Sequence, residues 1–378
     1  MPAALLAALI AATVIPPSGR PPIGPLERYD PKLYDMTFSV TVVTELPPIA
    51  TDRRHYALED APIVLPVILQ GAYSKVRQDS IGGRLWAGSS EVAGAGRNAT
   101  FDAGFPHHTY LYSMFVPRFY GTELRWEVSY RTQSWSSRID ERAAAELTWP
   151  REWPDEVQDA LKPSQFIESD RPIFASSIQD LTKGNLRLAP PYLAAKEVVR
   201  YTISRFQVSG IGTDFAPGGL IRGLHVKGAA ASWDNGLGSE HDLVCTCVAM
   251  LRAAGIPARP VIGIEETMNR SGREVETFVS WAEFYLEGAG WIPFDPDKLR
   301  FKTINNRDLR DAWPEFGTMD DLNKRIALSY FFIPSATVEA PWKPCVWGWD
   351  PRPGGDTGTH PAVNVSMISR GKGEEDPR

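Results

Sequence analysis

The sequence predicts an α+β chain in which an antiparallel β-sandwich precedes a core of helices packed on an antiparallel sheet. Three observations carry this reading. Apolar and polar residues alternate in the first third, helical spacing begins near Pro172, and a hairpin pattern follows the most apolar helix. With 378 residues, 43% hydrophobic and 23% charged, the chain is long enough for two domains with cores of their own.

Pro2 to Ile15 is an Ala/Leu-rich run, too short to span a membrane and of the length of a signal-peptide core. Export to the periplasm or outside is therefore expected. A cytoplasmic location is the alternative, because no Lys or Arg precedes the run. Residues 1–22 are assigned to this segment and a linker, and Pro and Gly continue to Pro31. Met36 to Leu46 alternates Phe38, Val40 and Val42 against Thr37, Ser39 and Thr41, and Leu124 to Tyr130 does the same around Trp126 and Val128. Both are half-buried strands, which places the sandwich over residues 33–160. Pro150, Pro154 and Pro163 mark its end. A core over 170–317 opens with a helix near Pro172 and a second over Tyr192 to Phe206. Residues 318–378 form an extension in which Trp342, Trp347 and Trp349 cluster and the tail from Gly371 is disordered.

The centre of the core is Gly236 to Arg259. Ser239 is placed as an N-cap, with Glu240 and Asp242 in the first turn, where acids suit the free N–H groups. Leu243, Cys247, Met250, Leu251 and Ala254 recur at helical spacing, and Gly255 with Pro257 stops the helix. A strand begins at Arg259. Thr277 to Leu286 and Gly290 to Phe294 then read as a hairpin around Glu287-Gly288-Ala289.

These residues resemble the transglutaminase-like superfamily of papain-like thiol enzymes. Arg252, Gly255, Ile256, Pro257, Ala258 and Arg259 match its Arg-x-x-Gly-Ile-Pro-Ala-Arg exit, and Asp242 matches its early Asp. Val279-Ser280-Trp281-Ala282-Glu283-Phe284-Tyr285 and Gly290-Trp291-Ile292-Pro293-Phe294-Asp295-Pro296 match its second motif. The resemblance implies that Glu240 stands at the nucleophilic Cys position and Val279 at the His position, with Asp295 retained. Thiol chemistry is then excluded at that site, since the thiolate, its base and the group that orients the base depend on one another. Cys245 and Cys247 lie further along the helix and read as inert core thiols.

Two functions follow from the altered triad. One is a hydrolase that uses Glu240 and Asp295 as a carboxylate pair. The family's arrangement puts the outer triad members roughly 7 to 8 Å apart, near the separation of inverting glycosidases, so a glycosidic bond and a carbohydrate ligand are expected. Trp233, Asp234, Asp242, Glu265, Glu266 and Trp281 are the candidate substrate-binding residues. The other is an inactive relative that keeps the fold as a binding or scaffolding module, with the Trp residues serving as packing. No cofactor or metal is expected, because adjacent helical residues such as Glu240, His241 and Asp242 diverge in direction. A net charge of −6 without a basic cluster argues against nucleic acid as a partner.

Overall fold

The computed structural model describes residues 24–44, 58–92, 99–102, 107, 109–119, 123–210, 212–215, 221–268, 274–302, 307–332, 348–349 and 359–374. The N-terminal segment 1–22, Trp342, Trp347, Cys345 and residues 375–378 of the tail lie outside the described residues. Mixed α/β architecture with mostly antiparallel sheets is what the alternation and the helical runs imply, and it is what the chain adopts.

In the first half the strand Leu26–Thr44 pairs antiparallel with Glu123–Ile139, setting Phe38 opposite Val128 and Val40 opposite Trp126. Side chains alternate along both strands, so Tyr34, Met36, Phe38, Val40, Leu124, Trp126, Val128 and Tyr130 bury one continuous face. The covering sheet contains Leu58–Val67 and Tyr110–Phe119, whose Leu65, Val67, Tyr112 and Met114 join the same core. Tyr112 tilts against Trp126 with ring centroids 5.6 Å apart. The first strand starts earlier than its Pro and Gly content suggests. Leu26 to Tyr29 already pair with Ile139 to Ser136, and a register shift with Asp30 at φ 46° absorbs the irregularity.

The C-terminal extension is not separate from the rest. Thr359–Lys372 returns to pair with the first strand, and Ile221 of the strand Ile221–Leu224 pairs with Val363. Thr213–Phe215 then forms the edge of this sheet among the described residues. Gly371 and Lys372, read as tail, close the ladder opposite Leu33 and Lys32.

The second half is built on the helix Glu240–Ala253. Its apolar residues are buried on every side. Pro172–Thr182, Pro191–Arg205 and Ala229–Asn235 cover one flank, and the strands Ala258–Met268 and Glu274–Leu286 cover the other. The helix ends at the predicted glycine. Gly255 adopts φ 76°, its N–H donates to the Arg252 carbonyl, and the Ile256 N–H donates to the Leu251 carbonyl, so the last carbonyls are satisfied. The hairpin forms in the expected register, with Leu286 opposite Gly290 and Ala282 opposite Phe294. Arg325–Ser329 pairs on the far side of Ala258–Met268 and completes a four-stranded sheet. Arg307 to Gly317 contributes isolated bridges such as Phe294 with Phe316 and no strand among the described residues.

Candidate functional site

The site lies where the central helix begins. Ser239 caps it, its hydroxyl accepting from the Asp242 N–H at 3.2 Å while Asp242 Oδ2 accepts from the Ser239 N–H at 2.9 Å. Asp242 Oδ1 also accepts from the N–H groups of Lys227 and Gly228, at 2.7 and 3.0 Å. Its carboxylate is thus consumed by the backbone.

Glu240, two residues earlier, is placed differently. Its side chain is 32% exposed and lies 4.0 Å from His241 Nε2. It accepts no hydrogen bond among the described residues. A methyl group at Gly212 would fall 2.0 Å from its Oε1, so the carboxylate rests against a position that only glycine leaves open. From there it faces a cavity of about 280 Å³ shared with Thr213, Phe215, Glu265, Val279, Ser280, Asp295, Asp297, Lys298 and Arg325. Phe215 leaves half of its surface exposed beside this cavity.

Asp295 ends the hairpin and caps Pro296–Arg300. Its Oδ1 accepts from the Lys298 N–H at 3.0 Å, and its Oδ2 accepts from Arg325 Nη2 at 2.7 Å. Both groups of the pair are 3% exposed. Arg325 also sits 3.3 Å from Glu265, and Lys298 Nζ reaches the same carboxylate at 3.1 Å. Nη1 of Arg325 is buried without a hydrogen-bond partner. Burial raises the Asp297 carboxyl; Arg300 opposes this, and the charges of Asp295 and Glu240 add to it.

His241 is fully buried. Its Nδ1 is 2.8 Å from the Ser280 hydroxyl and its Nε2 has no hydrogen-bond partner. The backbone of Gly212 partly offsets the desolvation of the ring, without a hydrogen bond to Nε2. Desolvation pushes its pKa down to about 4, so the ring is neutral at neutral pH. Burial likewise raises the Cys245 and Cys247 thiols.

Of the residues singled out in the sequence, Glu240, Glu265, Val279 and Asp295 meet at the cavity. The remaining substrate-binding candidates are placed elsewhere. Asp242 belongs to the cap and borders a second cavity of about 510 Å³ with His225, Lys227 and Ser239. Trp281 is 2% exposed in a satellite core with Val261 and Tyr330. Trp233 donates from its indole N–H to Ser177 and packs on Tyr201. Asp234 is exposed on its helix, and Glu266 alternates to the side of the strand opposite Glu265. Asp297, Lys298 and Arg325 were not singled out, and Ser280 and His241 were named in the sequence without a place at the site. Asp297 and Lys298 directly follow the quoted Asp295-Pro296, so a wider reading of the motif had access to them. Arg325 carried no local signal, since it reaches Asp295 across 30 residues.

Among the described residues no group of three or more His, Cys, Asp or Glu side chains is arranged to hold a metal ion. No helix among them is long and apolar enough to cross a membrane.

Residues 185–296 match the Transglutaminase-like superfamily. This span contains the capped helix, its exit and the hairpin. The fold is similar to that of a candidate cysteine protease from Cytophaga hutchinsonii, 12% identical over 91% of this chain and 93% of that one, with a TM-score of 0.57. The periplasmic domain of TgpA from Pseudomonas aeruginosa is 15% identical over 72% of this chain and 91% of that one, with a TM-score of 0.33. No curated protein matches the chain. The first similarity fixes the fold and leaves the chemistry to be argued from the residues.

Proposed function

We propose that this protein is a hydrolase that works from carboxylates rather than a thiol, with Glu240 in the place of the family's nucleophilic Cys and Val279 in the place of its His. The observation that carries the proposal is the state of Glu240: a partly exposed carboxylate, free of hydrogen bonds among the described residues, facing a cavity at a helix N-terminus. A carboxylate left uncommitted at the edge of a cavity is placed to act as a general base.

The acid is better assigned to Asp297 than to Asp295. Protonating Asp295 would break a buried ion pair and leave Arg325 with less compensation, which is costly. Asp297 lines the same cavity, and its carboxyl is already held up by burial and by its acidic neighbours. Glu240 as base and Asp297 as acid would divide the two roles as glycoside hydrolysis requires. A cavity near the lower end of the usual ~300 to 1,000 Å³ of ligand sites, with Phe215 as an apolar wall, suits one sugar ring. A screen against oligo- and polysaccharides tests this. Glu240→Gln and Asp297→Asn should each lower turnover on any hit by roughly 10²- to 10⁴-fold, as loss of a general base or acid does.

A second reading keeps the cleft for binding alone. The saturation of Asp295 favours it, because a retained carboxylate locked in an ion pair and a helix cap serves structure without chemistry. Equal binding of a saccharide by wild type and both variants, with no cleavage, would select this reading.

A further inference from the structure

The carboxylate reading makes no use of the contact between His241 and Ser280. His241 lies beside Glu240 in the first turn of the central helix, and Ser280 lies beside Val279 on the strand Glu274–Leu286. Helix and strand pack together, and the imidazole bridges them. Ser280 Oγ is 2.8 Å from Nδ1, and Glu240 Oε1 is 4.0 Å from Nε2. Ser280 and Glu240 both line the 280 Å³ cavity. A hydroxyl, an imidazole and a carboxylate thus stand in series, with the hydroxyl and the carboxylate both at the same cavity.

We propose that Ser280 is a nucleophile activated by His241, with Glu240 as the residue that positions the imidazole, so that this cavity carries an acyl-transfer centre for carboxylic esters. The orphaned Nε2 is the observation that points to the third member. A buried imidazole nitrogen without a partner is costly, and the Glu240 carboxylate, 4.0 Å away, is short of a hydrogen bond by about 1 Å of side-chain movement, whereas Asp242 is spent on the backbone. If Nε2 carries the proton, Nδ1 accepts from the Ser280 hydroxyl, which is the direction a general base needs. A ring that stays neutral at neutral pH keeps Nδ1 open for that proton.

The reaction runs in two balanced halves. Ser280 Oγ bonds to the ester carbonyl carbon as its proton passes to Nδ1, giving a tetrahedral oxyanion. The carbon–oxygen bond to the leaving alcohol then breaks, and the alkoxide takes the proton from Nδ1. Water adds to the acyl carbon, giving its proton to Nδ1, and the Ser280 oxygen departs with that proton, releasing the acid. Arg325 lines the same cavity and keeps Nη1 unpartnered, so a small side-chain movement would let it donate to the oxyanion.

This inference shares with the carboxylate reading only the assumption that substrate reaches the cavity, and it gives Glu240 a different role. The test is to treat the full chain with an alkyl fluorophosphonate, map the adduct by peptide mass, and follow hydrolysis of p-nitrophenyl acetate. Wild type should gain one adduct, on Ser280, and hydrolyse the ester. Ser280→Ala should lose both. His241→Gln should lower the labelling rate at least 100-fold, and Glu240→Gln should lower kcat with little change in KM. Ser280→Cys should take iodoacetamide at that position while Cys245 and Cys247 do not react, which reports access without asking for catalysis. If Ser280→Ala does not fold, the wild-type adduct map decides. An adduct at another residue, no adduct on the folded protein, or ester turnover that survives Ser280→Ala overturns the proposal. Saccharide cleavage lost in Glu240→Gln but retained in Ser280→Ala upholds the carboxylate reading alone. Labelling of Ser280 without saccharide cleavage upholds the acyl-transfer centre alone.

Discussion

The two ends of the central helix are built to opposite standards. At its exit the polar groups are paired. Arg252 donates to the carbonyls of Ala258 and Lys162, at 2.8 and 2.5 Å, and to the Ser164 hydroxyl at 3.1 Å. Arg259 holds Glu283 through two bonds of 2.9 and 2.7 Å, with its guanidinium 3.8 Å from the centre of the Trp291 ring and 3.6 Å from that of Tyr330. At the entrance the cap is complete, but Glu240 accepts no hydrogen bond among the described residues, and His241 Nε2 and Arg325 Nη1 are buried without partners. Each unpaired buried group costs on the order of 1 to 3 kcal/mol. One helix therefore carries a satisfied end that holds the fold and an unsatisfied end that keeps polar capacity in reserve beside a cavity.

The comparison is broken most directly at the exit. Glu283→Ala should destabilise the protein by about 3 to 5 kcal/mol, because it strands the Arg259 charge in a buried site. Urea unfolding measures this, and a loss under about 1 kcal/mol would mean that the exit is no more essential than a surface ion pair.

At the entrance the corresponding test is pH. His241 has its pKa lowered to about 4 by burial, against about 6.5 in an unfolded chain. Between these values the unfolded state binds a proton that the native state refuses, so stability falls as pH drops through this window. The full effect is about 3 kcal/mol. Carboxyls raised by burial, such as Asp297, Glu283 and Glu315, act in the opposite sense. The difference between wild type and His241→Gln, measured from pH 7.5 to pH 4, isolates the histidine, and a flat difference would remove the buried neutral ring from the account.

How much of this was legible in the sequence divides along the same line. The stop of the helix is local, since Gly255 and Pro257 follow its last turn and can be read from capping rules, while the distant partners of Arg252 and Arg259, such as Lys162 and Glu283, are not. The hairpin that presents Asp295 is local as well. The entrance depends on residues far apart in the chain, since Gly212, Ser280, Asp295 and Arg325 meet there only because four elements converge. No periodicity announces Arg325, and so the locked state of Asp295 could not be foreseen. The same limit applies to Thr359–Lys372, whose place beside the first strand follows from pairing across more than 300 residues.

Smaller effects sharpen the picture. Ser239→Ala should cost about 1 kcal/mol by removing the cap, with Asp242 still held by Lys227 and Gly228. A thermal melt that shifts by several times the few degrees this implies would show that the cap does more than close the helix. Gly212→Ala should change stability least, because the added methyl meets the far end of a flexible side chain. Its effect should appear in function, since the Glu240 carboxylate must swing away. Unchanged turnover on a hydrolysed substrate would mean that the position of Glu240 against Gly212 is incidental.

The most direct measurement is the turnover of Glu240→Gln beside wild type on any saccharide that the protein cleaves, with melting temperatures taken on the same samples. A fall of roughly 10²- to 10⁴-fold at an unchanged melting temperature is the expected result. Equal turnover by the two proteins, or a wild-type protein that binds saccharides and cleaves none, would contradict a carboxylate hydrolase at this helix.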